Sequence, residues 1–123
     1  MSLKKLHDAL QAAMKAARVP APVASKVLVT VDEAAARFKI SSLQELFNMP
    51  EWYQWLFIVK GIVSPIARIL RSEGYCNAVY HVIVALSMVD ERIGDIVKEW
   101  VRDRCRGGID PCCSSPPCCN VQT

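Results

Sequence analysis

The residues with the most chemistry to offer are six cysteines: Cys76, Cys105, Cys112, Cys113, Cys118 and Cys119. The last four fall within eight residues as two adjacent pairs around Ser114-Ser115-Pro116-Pro117. Three chemistries fit them, beside the plain reading of an exposed, unstructured tail whose cysteines do nothing essential. The first is S-acylation, because paired thiols on a loose tail can reach a membrane surface and stable anchoring takes two or more chains. Arg102, Arg104 and Arg106 lie just upstream and favour an anionic leaflet. The second is metal binding: four thiolates suit zinc, although adjacent ligands chelate a single ion poorly, and a sulfur-rich tract suits Cu(I) equally well. The third is a disulfide staple, on a two-pair pattern similar to cone-snail toxin frameworks; it requires an oxidising compartment. Apart from these thiols no cofactor is expected. Cys76, at the start of an apolar run, reads as a small buried hydrophobe.

Catalysis needs more than thiols. The two histidines are His7 and His81. A cysteine–histidine pair requires hydrogen-bond reach, and Cys76 and His81, five apart on one helix, point in different directions. His81 reads instead as a core or boundary histidine. The carboxylates lie on charge-paired faces, not as an apolar pair with split pKa values. No phosphate loop or His-Glu-x-x-His is present. The expectation is a protein that is not an enzyme and has no small-molecule substrate.

Two further groups suggest binding. Trp52, Tyr53 and Trp55 crowd into four residues, and Trp100 lies further along; exposed aromatics on a rigid helix are typical partner-binding anchors, and burial of the three clustered ones in the core is the equal alternative. Lys4, Lys5, Lys15, Arg18 and Lys26 form a basic face within residues 1–40, which hold seven Lys/Arg against three Asp/Glu. A basic helical module of this kind can meet nucleic-acid phosphates, but a formal net charge of +3 is weak, and a solvated face accounts for it more simply.

These groups must be carried by helices. Leu3, Leu6, Leu10, Ala13 and Ala17 recur at helical spacing, and Pro20 and Pro22 end the first helix. Val23, Val27, Val31, Ala34, Ala35 and Phe38 keep the same period, which favours one helix from about Ala21 to Phe38 over a strand at Lys26–Val31. Ser42 and Glu45 have capping-box spacing before a short helix, Leu43 to Asn48. Pro50 opens the aromatic helix. Ser64-Pro65 is expected to open a separate one, Ile66 to Ser72, closed by Gly74. Tyr75 to Val89 is apolar nearly all round and reads as the central helix. Asp90 caps the last, whose stripe is Ile93, Ile96, Val97, Trp100 and Val101.

The prediction is an all-α bundle of about six helices around a hydrophobic central helix over residues 1–107. A flexible Cys/Pro-rich tail follows over 108–123. With 123 residues and 52% hydrophobic side chains there is ample core for one domain. The start, Met1-Ser2-Leu3-Lys4-Lys5, has no signal-peptide pattern. The longest uncharged stretch, Gly74 to Val89, is short for a membrane span. An intracellular, cytoplasmic protein is expected, with the membrane as a possible second address through the tail.

Two stretches resemble the Bcl family of apoptosis regulators. Glu45-Leu46-Phe47 followed by Trp52 and Gly61 is similar to that family's first homology motif. Trp100-Val101-Arg102-Asp103 followed by Gly107-Gly108-Ile109-Asp110 is similar to the second. Where the family has Asn-Trp-Gly-Arg, this chain has Glu51-Trp52-Tyr53-Gln54. The resemblance implies an all-α bundle with a helix-binding groove near Phe47, Trp52 and Trp100. From the missing catalytic motifs and the aromatic helix, the first expectation is a non-catalytic interaction or adaptor protein, self-associating or bound to a protein partner and tethered to a membrane by its tail; a Bcl-like apoptosis regulator, a basic nucleic-acid-binding module and a metal-binding protein are the alternatives.

Overall fold

Apolar residues at helical spacing make this chain an assembly of helices, and the computed structural model, which describes residues 3–106, contains six helices and no strand among them. Helix α1 (Lys4–Ala16) buries Leu6, Leu10, Ala13 and Met14 along one stripe. Helix α2 (Ala21–Phe38) starts after Pro20, carries Pro22 in its first turn, and buries Val23, Val27, Thr30, Val31 and Ala34. Helical periodicity thus prevails over the strand propensity of Lys26–Val31. Within that stretch, the Thr30 hydroxyl donates to the Lys26 carbonyl at 2.9 Å.

Three helix ends share one terminator. Arg18 (φ 58°), Lys39 (φ 57°) and Gly74 (φ 87°) all adopt left-handed backbone. In each case the next N–H reaches back to close the last turn: Val19 to Met14, Ile40 to Ala35 and Tyr75 to Leu70. This is the Schellman arrangement, which glycine adopts most readily. Only Gly74 follows that preference.

Helix α3 (Leu43–Phe47) is capped by Ser42, whose hydroxyl accepts the Glu45 N–H at 3.1 Å. The return bond differs from the expected box. Glu45 Oε1 accepts the N–H of Ser41, not Ser42, at 2.9 Å.

The predicted break at Ser64-Pro65 does not occur. Helix α4 runs unbroken over Glu51–Ser72, with a π-helical segment, Leu56–Val63, immediately before the proline. Proline has no N–H to donate and its ring crowds the carbonyl four residues back. Wider π turns, in which the Ser64 N–H reaches Val59 instead, accommodate both defects without ending the helix.

The centre of the bundle also differs from the expectation. It is α4, which buries Phe57, Ile58, Val59, Ile62, Val63, Ile66, Ala67 and Leu70. Gly61 lets α2 approach, since a Cβ there would meet Phe38 Cε2 at 3.1 Å and Ala34 Cβ at 3.2 Å. By length and composition α4 could cross a membrane, but 56% of its most apolar window is buried in the bundle. Helix α5 (Asn77–Val89) lies against α1 and α6 (Glu91–Arg106), not at the centre. Its apolar residues exceed what one buried face can absorb, so some of them remain outside. Asp90 caps α6 as expected, accepting the Arg92 N–H at 2.8 Å. Close packing between α5 and α6 depends on Gly94, where a Cβ would meet the Ser87 carbonyl oxygen at 3.2 Å.

Candidate functional site

The apolar surplus of α5 emerges as one line. Val79, Val82, Ile83 and Leu86 face the core, while Tyr80, Val84 and Met88 are 42, 40 and 81% exposed. Their i, i+4, i+8 spacing forms a ridge along the helix. Beside it, α1 presents Ala9, Ala12 and Ala16, so that a groove of about 420 Å³ runs between the two helices. Ala13 and Ala85 form its floor, and His81 lies at its edge. The two helices run antiparallel. Lys5, early in α1, shares a depression with Val89 and Asp90 at the end of α5, and Ala16 shares the groove with Tyr80. Both walls belong to helices anchored in the core, so the groove is a preformed surface.

The periodicity of α5 does not announce this ridge. A helix apolar on all sides reads as central, yet the same pattern arises when two apolar stripes lie back to back. The available signal was the smallness of Ala9, Ala12 and Ala16 on the helix that packs against it.

The predicted aromatic group is divided. Trp52 stands 64% exposed. Tyr53 is half-buried, its hydroxyl donating to the Phe38 carbonyl, with Phe38 edge-on at 5.7 Å between ring centroids. Trp55 is half-buried beneath the Lys60 ammonium, 6.0 Å from the ring centroid. Trp100 is a core residue at 9% exposure. Phe47 lines a different depression, with Arg92 stacked 3.6 Å above its ring. Phe47, Trp52 and Trp100 therefore occupy three separate environments.

The basic group is likewise dispersed. Lys4 pairs with Asp8 at 2.9 Å and Lys26 with Glu73 at 2.7 Å. Lys5 faces the Asp90 depression, Lys15 lies beside Asp8 and Gln11, and Arg18 occupies the left-handed turn.

The Asp90 carboxylate is held by its neighbour. Arg92 grips Asp90 with Nε at 3.1 Å and a second guanidinium nitrogen at 3.3 Å. That side-chain bond holds the Asp90 carboxyl below the usual carboxylate range; partial burial opposes the shift, and the Arg92 N–H and nearby Lys5 reinforce it. His7 Nε2 lies 2.9 Å from Asp32 Oδ1, but off the direction of a good hydrogen bond. His81 is exposed, edge-on to Tyr80, rather than a core or boundary residue. Cys76 is half-buried rather than fully buried. Among the described residues no group of three His, Cys, Asp or Glu side chains is placed to hold a metal. Cys112, Cys113, Cys118 and Cys119 lie outside the described residues.

No family model, curated protein or solved structure matches the chain.

Proposed function

We propose that this protein is a non-catalytic helical interaction or adaptor protein whose docking surface is the groove between α1 and α5. The observation that supports this reading is the ridge of Tyr80, Val84 and Met88, exposed side by side along a rigid helix. Single exposed apolar residues are ordinary, but a contiguous apolar patch marks a site where something binds. Tyrosine supplies area at low entropic cost, and methionine adapts its shape to a partner. The tail extends the proposal. Acylation of two or more of Cys112, Cys113, Cys118 and Cys119 would hold the docking surface at a membrane.

The test is cross-linking capture in cells with the full chain, comparing wild type with Met88→Glu and Trp52→Ala. Partners should be lost from the groove variant and kept by the tryptophan variant. An unchanged partner set in the groove variant would sink the reading. For the tail, membrane-bound protein should become soluble on thioester cleavage by hydroxylamine; protein soluble before treatment would remove the tether.

A further inference from the structure

The ion pair between Lys26 and Glu73 sets the start of α2 beside the end of α4. At the other end of the same two helices, Tyr53 of α4 reaches Phe38 of α2. Helix α1 finishes at the Lys26 end too. It runs antiparallel to α5, with Ala16 and Tyr80 in one groove, and a short turn through Arg18 joins it to α2. The ends of α1 and α4 and the starts of α2 and α5 therefore make one end face of the bundle. We infer that this face docks on an anionic lipid surface, so that the bundle stands end-on at a membrane. The inference rests on the membrane tether proposed above and adds the surface that meets the lipid.

The first ground is charge. The face carries Lys15, Arg18, Lys26, Arg68 and Arg71, with Glu73 the carboxylate among them. Glu73 is occupied by Lys26 at 2.7 Å. Asp8, the nearest carboxylate along α1, is held by Lys4 at 2.9 Å. Lys15, Arg18 and Arg68 are exposed and make no ion pair among the described residues. At the other end of the bundle the signs are mixed. Lys5 shares a depression with Asp90 there, and Lys39 shares one with Asp32 and Glu45. A formal net charge of +3 is small for the whole chain, but the fold concentrates the cations at one end.

The second ground is the tail. The stretch from Arg106 to Cys118 can extend to about 40 Å, longer than the roughly 33 Å of the 22-residue α4. Its thiols can therefore reach lipid that touches this face. One acyl chain holds a protein only marginally, and a basic patch supplies the second signal. Each cation close to an anionic leaflet strengthens binding about fivefold, so three together give about a hundredfold. Nucleic acid fits the face less well. Single-strand binders set stacking aromatics between their cations, but Trp52 and Trp55 stand at the far end of α4. Tyr80, at the rim of the face, suits the headgroup level, where tyrosine is enriched. End-on seating leaves the groove between α1 and α5 on the flank, open to a partner.

The test is vesicle sedimentation with the full chain, unacylated and kept in reductant. Vesicles of phosphatidylcholine mixed with phosphatidylserine are compared with phosphatidylcholine alone. Wild type should bind the mixed vesicles and not the neutral ones, and should be released as salt is raised, because salt screens surface charge. Lys15→Gln combined with Arg68→Gln should weaken binding roughly twentyfold. Lys5→Gln combined with Arg37→Gln removes the same charge from the other end and should leave binding nearly unchanged. All four side chains are exposed, so circular dichroism should show both double variants folded. Equal loss from the two double variants overturns the inference, as does wild type that binds neither vesicle. Tighter binding to single-stranded RNA than to the mixed vesicles, lost with Lys15 and Arg68, also overturns it and assigns the face to nucleic acid. Since no acyl chain is present, failure here leaves the hydroxylamine and partner-capture results standing, and failure of those leaves charge-driven binding standing.

Discussion

Asp90 illustrates how one side chain joins three elements. It ends α5, caps α6 through the Arg92 N–H, and holds the guanidinium that stacks on Phe47 of α3. Asp90→Ala should cost about 0.5–2 kcal/mol, the usual range for a lost N-cap, measurable by urea unfolding. The pH dependence follows from the direction of its shift. Its carboxyl is lowered in the folded chain, so its contribution is full above the ordinary carboxylate range and fades as pH falls through the lowered folded value. The stability gap between wild type and Asp90→Ala should accordingly narrow in acid. Arg18 offers the opposite sign. A non-glycine residue in left-handed backbone costs roughly 1 kcal/mol, so Arg18→Gly should raise stability by about that amount, less glycine's extra chain entropy. A lower urea midpoint for Arg18→Gly would contradict this. Caps were legible in the sequence because Ser42 and Asp90 act on near neighbours. The slip of the Glu45 bond to Ser41 was not, since the two N–H groups are adjacent and only backbone geometry selects between them.

At the scale of elements, the first two helices and the last were readable from periodicity because each buries one stripe. Helix α4 was misjudged at Pro65, since a proline ordinarily ends a helix and nothing local announces that wider turns will absorb it. Helix α5 was misjudged for another reason. Hydropathy measures how apolar a helix is, not how much of it the neighbours can cover, and α1 covers little with alanine. The α2–α4 crossing makes a sharper prediction. A Cβ at position 61 already meets the Phe38 ring and Ala34, so Gly61→Val should destabilise by about 1–3 kcal/mol through overpacking. Thermal unfolding of Gly61→Val beside Gly94→Val compares the two glycine-mediated crossings, and both midpoints should fall. A midpoint unchanged at position 61 would mean that the crossing is looser than described.

At the scale of the whole molecule, the buried side chains of every helix form one continuous cluster from Leu3 to Val101. Unfolding should therefore be a single cooperative event. Helicity by circular dichroism and tryptophan fluorescence should report the same midpoint, even though Trp52 is exposed and Trp100 buried; separated midpoints would show independent subunits of structure. The sequence conveyed the class of the fold because stripe and cap signals are local, whereas the placement of Phe47, Trp52 and Trp100 in separate environments depends on how the helices are arranged around α4. That arrangement has an effect during synthesis. The central helix is made fourth, and α5 and α6, which help to enclose it, follow it from the ribosome. While those last two helices are still being translated, the nascent chain carries a 22-residue stretch apolar enough to pass for a membrane span. A slow stretch of codons just after it would lengthen the time in which chaperones or the insertion machinery can seize the chain.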